Sequence, residues 1–219
     1  MNTWERHEIL FWILIGLSIY LLILTIIYLI LRFAFHKKLG GIGYYLSYFF
    51  LFPLWPIVEI SRLPRKRKAW LIKSGLKENQ SYLEEGIGVG TSLILASKIV
   101  GSNGVVYALD NSPLNIAILF IRSKIRKIKN IRFILSDAAY TSLKDSSIDT
   151  IFICDAFHEF PDKKNTAIEL HRVLKSGGGL AILEDKVKYT NHAQKIIESI
   201  KLFKLAERDK KFIKFKKEG

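Results

Sequence analysis

The chain has 219 residues, enough for one ordinary globular domain and an extra segment but not for two full domains. Its formal charge of +14 is unevenly placed: residues 1–60 hold four Lys/Arg and three Asp/Glu, residues 61–219 hold 30 and 17, so the second part carries 30 − 17 = +13. The single cysteine, Cys154, excludes an intramolecular disulfide and any cysteine-based metal site.

From Ile9 to Leu31 run 23 residues without a charge, 17 of them Ile, Leu or Phe. As a helix they would reach about 34 Å, enough to span a bilayer. Glu5, Arg6 and Glu8 before the run are unlike the basic start of a cleavable signal peptide. Residues 1–38 therefore read as a transmembrane anchor with its span at 9–31. Arg32, His36, Lys37 and Lys38 follow the run, and the positive-inside rule places the rest of the chain in the cytoplasm as a single-pass protein of the cell membrane. Residues 39–68 are an aromatic segment, Ile42 to Ile60, broken by Pro53 and Pro56, and a basic linker with Arg62, Arg65, Lys66, Arg67 and Lys68. Basic flanks on both sides suit a segment lying in the interface rather than a second span. The anionic headgroups of the bilayer are the expected partner of this charge.

Over residues 69–219, short β-branched runs alternate with helical patterns, the signature of parallel strands joined by crossover helices. Strands are predicted at Ser81 to Glu85, Val105 to Asp110, Ile131 to Leu135, Ile148 to Cys154 and Gly179 to Glu184. Helices are predicted at Thr91 to Val100, Leu114 to Lys127, Asp162 to Leu174 and His192 to Ile200. The tail, Leu202 to Lys217, suits a closing antiparallel hairpin.

Leu83-Glu84-Glu85-Gly86-Ile87-Gly88-Val89-Gly90-Thr91 sits where the first strand turns into the first helix, where glycines let a backbone approach a ligand. The G-x-G-x-G spacing lacks the third glycine of the dinucleotide fingerprint, which disfavours NAD. Asp110 ends the second strand 20 residues after Gly90, a place from which an acid accepts both ribose hydroxyls. Asp137 closes the third strand, suited to an exocyclic adenine amine. Each acid alone is also an ordinary cap or turn residue; three strand ends in register point to one crevice.

With Ala108-Leu109-Asp110, Ser136-Asp137-Ala138, Cys154-Asp155-Ala156-Phe157-His158 and His171-Arg172-Val173-Leu174-Lys175-Ser176-Gly177-Gly178, the chain from about Leu76 onward resembles class I S-adenosylmethionine methyltransferases. It looks closest to the branch that includes the quinone-biosynthesis C-methyltransferases, with Ser176 where a proline is frequent. The resemblance implies a Rossmann-like α/β fold, a mostly parallel seven-stranded sheet with a C-terminal antiparallel hairpin and helices on both faces. It implies S-adenosyl-L-methionine as cofactor, with Glu84 at the methionine ammonium, Gly86, Gly88 and Gly90 beside the cofactor, Asp110 with Asn111 at the ribose, and Asp137 with Ala138 at the adenine. Glu85, counted with Glu84 among the cofactor-binding residues, departs from the pattern, since most relatives carry an apolar residue there; it is expected to face solvent or to lower cofactor affinity.

Methyl transfer from a sulfonium needs alignment and, for some acceptors, a base. Asp155, His158 and Glu159 follow the fourth strand, Asp155 beside the cofactor. His158 is the first base candidate because histidine titrates near neutral pH, and Glu159 is the reserve. A hydrogen bond from His158 to a neighbouring loop is the bland alternative. His7, His36, His171 and His192 have no ligand spacing, so no metal is expected. Asp155-Ala156-Phe157-His158 is not the Asn/Asp-Pro-Pro-aromatic motif of enzymes that methylate DNA adenine, which argues against a nucleic-acid partner. A small lipophilic or membrane-bound methyl acceptor is expected instead. The rival readings are a protein side-chain methyltransferase and a non-catalytic cofactor-binding membrane scaffold.

Overall fold

The computed structural model describes residues 3–35 and 63–218, in two compact units, Met1–Val58 and Glu59–Gly219. The aromatic stretch from Ile42 to Ile60 lies outside the described residues. In the first unit, α1 (Thr3–Phe35) is a single helix of 33 residues. Among the described residues no helix is long and apolar enough to cross a membrane. The side chains described in α1 cover only 11–27, so the expected span runs past them at both ends.

The second unit contains α2 (Leu63–Ser74), β1 (Ser81–Glu85), α3 (Thr91–Val100), β2 (Val105–Asp110), α4 (Pro113–Ile125), β3 (Ile131–Leu135), β4 (Ile148–Cys154), α5 (Lys163–Val173), β5 (Leu174–Leu183), α6 (Val187–Ser199), β6 (Phe203–Arg208) and β7 (Phe212–Lys217). The strands form one sheet in the order β3-β2-β1-β4-β5-β7-β6. Strands β1 to β5 are parallel, and β7 runs antiparallel between β5 and β6. The chain winds outward from β1 in both directions, so the switch point lies between β1 and β4, and in such sheets the ligand crevice opens beyond the carboxyl ends there.

Alternation along the strands splits the core in two. Tyr82, Val106 and Phe152 face Leu71 of α2, Leu93 and Ile94 of α3 and Leu119 of α4. Leu83, Leu109, Ile151 and Ile153 face Leu170 and Val173 of α5 and Ile197 of α6. Each such fully buried aliphatic or aromatic side chain contributes about 1.5–3 kcal/mol, which fixes the register that carries the crevice residues.

Three elements differ from expectation, among them β5, expected from Gly179 to Glu184 and observed from Leu174 to Leu183 because its irregular first half, rich in glycine, has no apolar run. Leu63–Ser74, most of its first turns read as a basic linker, is helical and buries Leu71 against the sheet; its charge pattern hides the single apolar stripe. The helix expected from His192 starts at Val187, because an amphipathic turn of mixed Lys and Tyr gives little periodic signal.

The glycine loop is constrained by its close neighbours. Gly86, at φ +70°, lies so close to Ala156 that an added Cβ would be 2.3 Å from the alanine Cβ, which has no rotamer through which to retreat. Gly86→Ala is expected to cost about 2–4 kcal/mol, strain plus overpacking. Gly177→Ala, at φ +71° but facing open space, should cost only the backbone part, about 1–2 kcal/mol. Chemical denaturation of the two variants checks the difference.

Candidate active site

The expected site residues lie at or just after the carboxyl ends of β1, β2, β3 and β4, one edge of the parallel part of the sheet. Glu84 and Glu85 point to opposite faces, as neighbours in a strand must. Glu84 is buried and its Oε2 accepts the Tyr82 hydroxyl at 2.7 Å. Burial raises its carboxyl to about 7, against the Tyr82 hydroxyl, the Arg67 charge and Ser92, which pull it down.

Arg67, read from sequence as membrane-flanking charge, is instead part of this edge. Its Nη1 donates to Cys154 Sγ at 2.7 Å and to Ser92 Oγ at 3.2 Å. Cys154 itself stays a neutral thiol, pushed up to about 12 mainly by burial. Nothing in the spacing of a run of Arg and Lys signals which one folds inward.

Glu85 does not face solvent, which corrects the first expectation for it. It is 0% exposed, on the face of Leu83 and Leu109, and neither carboxylate oxygen has a hydrogen-bond partner. Burial, then the charges of Glu169 and Asp137, raise its carboxyl well above the ordinary value.

Asp110 closes the glycine loop onto α4. Its Oδ1 accepts Ser112 N at 2.8 Å and its Oδ2 accepts Asn115 Nδ2 at 3.1 Å, with the backbone of Gly88 and Ile87 also donating to it. Burial still outweighs these bonds and raises it. Ser112 caps α4 through Asn115 N, with proline in the first turn. Asn111 beside it is exposed. Asp137 Oδ1 accepts Ala139 N at 2.8 Å, a turn-capping bond, and Ala138 is buried.

After β4, Asp155 is exposed at φ +56° and accepts Asp185 N at 3.2 Å. A short 3₁₀ turn, Phe157–Glu159, follows. There His158 meets a residue that sequence reasoning left without a role, Glu184 at the end of β5. Glu184 Oε2 lies 2.7 Å from His158 Nδ1, and Oε1 accepts the His158 backbone N–H at 3.1 Å. Both oxygens of a fully buried carboxylate are thus given to one histidine. The ring also stacks on Tyr189, centroids 4.2 Å apart and 3° from parallel. Glu184 was visible only as one more acid at a strand end. Burial raises its carboxyl and His158 lowers it. Glu159 Oε1 is 3.8 Å from His158 Nε2; its carboxyl is raised by burial first, with His158 opposing.

Ligand atoms of Asp155, His158 and Glu184 lie within 4.8 Å of one another, so among the described residues this trio could hold a metal ion. Spacing along the chain could not reveal it, because the three come from two separate loops.

A buried carboxyl and a guanidinium at the end of β1 suit the ammonium and carboxylate of an amino acid, and a loop of glycine backbone followed by Asp110 suits a nucleoside. Comparison with known proteins agrees. Residues 76–212 match a family described as a methyltransferase domain, and the chain belongs to that family. The ubiquinone/menaquinone biosynthesis C-methyltransferase UbiE of Wigglesworthia glossinidia brevipalpis is 33% identical over 109 residues, 48% of this chain and 43% of that protein. The demethylmenaquinone methyltransferase of Staphylococcus aureus is 30% identical over 118 residues, 54% and 48% of the two chains. The chain thus spans under half the length of these relatives. A SAM-dependent methyltransferase from Aquifex aeolicus superposes with a TM-score of 0.64 at 26% identity, over 72% of this chain and 92% of that one. A putative S-adenosyl-L-methionine-dependent methyltransferase from Methanococcus maripaludis reaches 0.67 at 16% identity, over 79% and 93%, a likeness of fold alone. The matched domain is an S-adenosylmethionine-dependent methyltransferase domain with the Rossmann-like seven-stranded sheet expected from the sequence.

Proposed function

We propose that the chain is a membrane-anchored enzyme that methylates a lipophilic or membrane-associated acceptor, with the bulk of the protein in the cytoplasm. When bound, S-adenosylmethionine supplies an electrophilic methyl on a sulfonium. Glu84, Arg67, the Gly86 to Gly90 backbone and Asp110 are the residues that would hold it, with Asp137 and Ala138 at the adenine.

The observation that carries the chemistry is the His158–Glu184 pair. With Nδ1–H given to a buried carboxylate and the ring clamped on Tyr189, Nε2 is left as the basic nitrogen. It sits at the carboxyl end of β4, where an acceptor proton would be removed as the methyl transfers. Glu184 fixes the tautomer and stabilises the imidazolium so formed. Asp155 and Glu159 add negative charge at the same mouth, which favours a cationic sulfonium.

The anchor is supported by the uncharged run from Ile9 to Leu31 and by the apolar side chains exposed along α1, among them Trp12 at 65% and Leu22 at 60%; water does not favour such a helix. A quinone-like acceptor is supported by the names of the sequence relatives. A tether would raise the effective concentration of the site near bilayer-dissolved acceptors. The test is a labelled-methyl transfer assay on native membranes with the product identified by mass. A lipophilic methylated product made by the wild type and not by a His158→Ala strain is expected; label found only in soluble products would refute the acceptor class.

Asp110→Asn is expected to weaken S-adenosylmethionine binding by about 10- to 100-fold, since it removes a charged acceptor from several N–H donors at once. Calorimetry on the full chain in detergent measures this directly.

A further inference from the structure

The end of the sheet opposite the active site holds a second concavity. Where β1, β4 and β5 begin, a cleft of about 260 Å³ opens between the end of α2 and an irregular stretch of β5. Between the ladder pairs Ile148↔Leu174 and Thr150↔Gly179, one residue of β4 faces four of β5, Lys175 to Gly178. The surplus loops outward and walls the cleft.

Four lysines line it: Lys77, Lys175, Lys214 and Lys216. The one acid in the lining, Asp149, is already committed. It bonds Lys175 Nζ at 2.8 and 2.9 Å and accepts Ser81 N at 2.8 Å. Lys214 Nζ donates to the Lys73 carbonyl oxygen at 3.3 Å, and Lys216 Nζ to the Gly177 carbonyl oxygen at 2.9 Å. Among the described residues, Lys77, Lys214 and Lys216 form no ion pair. Burial, then the charges of Lys216 and Lys77, push the Lys214 amine below its ordinary value, with Glu207 opposing. Three like charges gathered around a concavity, two of them bonded among the described residues to carbonyl oxygens alone, are stabilised by an anion that replaces that repulsion with attraction.

We propose that this cleft binds a phosphate-class oxyanion through Lys77, Lys214 and Lys216. Its volume falls just below the range of about 300–1,000 Å³ usual for drug-sized ligands, and a single phosphate group fits it. The phosphate of an anionic lipid headgroup and free phosphate share this chemistry. The site touches none of the residues assigned to methyl transfer, and the inference is independent of that reading.

The test is calorimetry on the full chain in a nonionic detergent, titrated separately with inorganic phosphate and with dihexanoyl phosphatidylglycerol, and with dihexanoyl phosphatidylcholine as the zwitterionic control. Saturable binding of either anionic probe, stronger than that of the control, is expected; binding of the lipid alone assigns the site to a headgroup, and binding of phosphate alone assigns it to a soluble ligand. Lys214→Gln/Lys216→Gln should weaken that binding on the order of 30-fold, since two of the three ammonium groups that would face the anion are removed. Lys77→Gln, an exposed position that leaves the sheet untouched, should weaken it about fivefold. Lys144→Gln/Lys164→Gln, exposed lysines outside the cleft with the same change of net charge, should not. Absence of binding by both anionic probes, or an equal loss in the outside pair, would overturn the assignment.

Discussion

Replacing His158 by alanine is expected to lower kcat by about 10²- to 10⁴-fold, the usual contribution of a positioned base, with S-adenosylmethionine affinity unchanged. Glu184→Gln should lower kcat about 10- to 100-fold, the cost commonly seen when the partner that orients a functional histidine is removed. The amide offers one acceptor where two N–H groups of His158 point, the ring Nδ1–H and the backbone. Its NH₂ would then face a donor, and the ring would lose its fixed orientation. Because the two residues act as a unit, adding Glu184→Gln to His158→Ala should cost little more than His158→Ala alone. Single-turnover kinetics with a defined acceptor separates kcat from donor binding. Fully additive losses, or a parallel fall in donor affinity, would show that Glu184 supports the fold rather than the base.

Glu85→Leu should raise the stability of the chain by about 1–3 kcal/mol at neutral pH, the cost commonly attached to a buried polar group without a partner. Leucine is close in size, and the residues opposite position 85 in the two neighbouring strands, Leu109 and Ile153, are apolar. The gain should depend on pH with a definite sign. Glu85 has its carboxyl raised above its ordinary value of 4.5 in the folded state by burial and by Glu169 and Asp137. The folded state therefore holds its proton more tightly than the unfolded chain, and the stability this gives is fully present below pH 4.5. It is lost as pH rises from there through the raised folded value. The wild type should lose stability relative to Glu85→Leu over that window, and thermal melts at pH 5 and pH 8 on both proteins read it. A variant that melts lower than wild type at both pH values would mean that Glu85 has a stabilising partner.

How much of this was legible in advance follows from how local each signal is. The bounds of β1, β2, β3 and β4 coincide with the sequence reading, because buried parallel strands are contiguous apolar runs ended by turn residues. The glycines of the loop were legible for a related reason. At Gly86 and Gly90 a φ of +70° and +74° combines with a neighbour too near for an added Cβ, which favours glycine over every other residue, so conformation is written into identity. The acids at strand ends were placed by the period of the βα units: Glu84, Asp110 and Asp137 lie at or just after the carboxyl ends of the parallel neighbours β1, β2 and β3.

What the residues could not disclose is which side chains meet across separate loops. Glu184 lies 26 residues beyond His158, and only the parallel pairing of β4 with β5, together with the 3₁₀ turn after β4, sets the ring against it. Arg67 is one of a run of like residues, and only the packing of Leu71 on the sheet turns it inward. Glu85 looked like a surface charge because a Glu-Glu pair carries no mark of which member faces the core. Pairings of this kind depend on register and helix rotation, which are fixed by the whole packed core and by no short stretch of it.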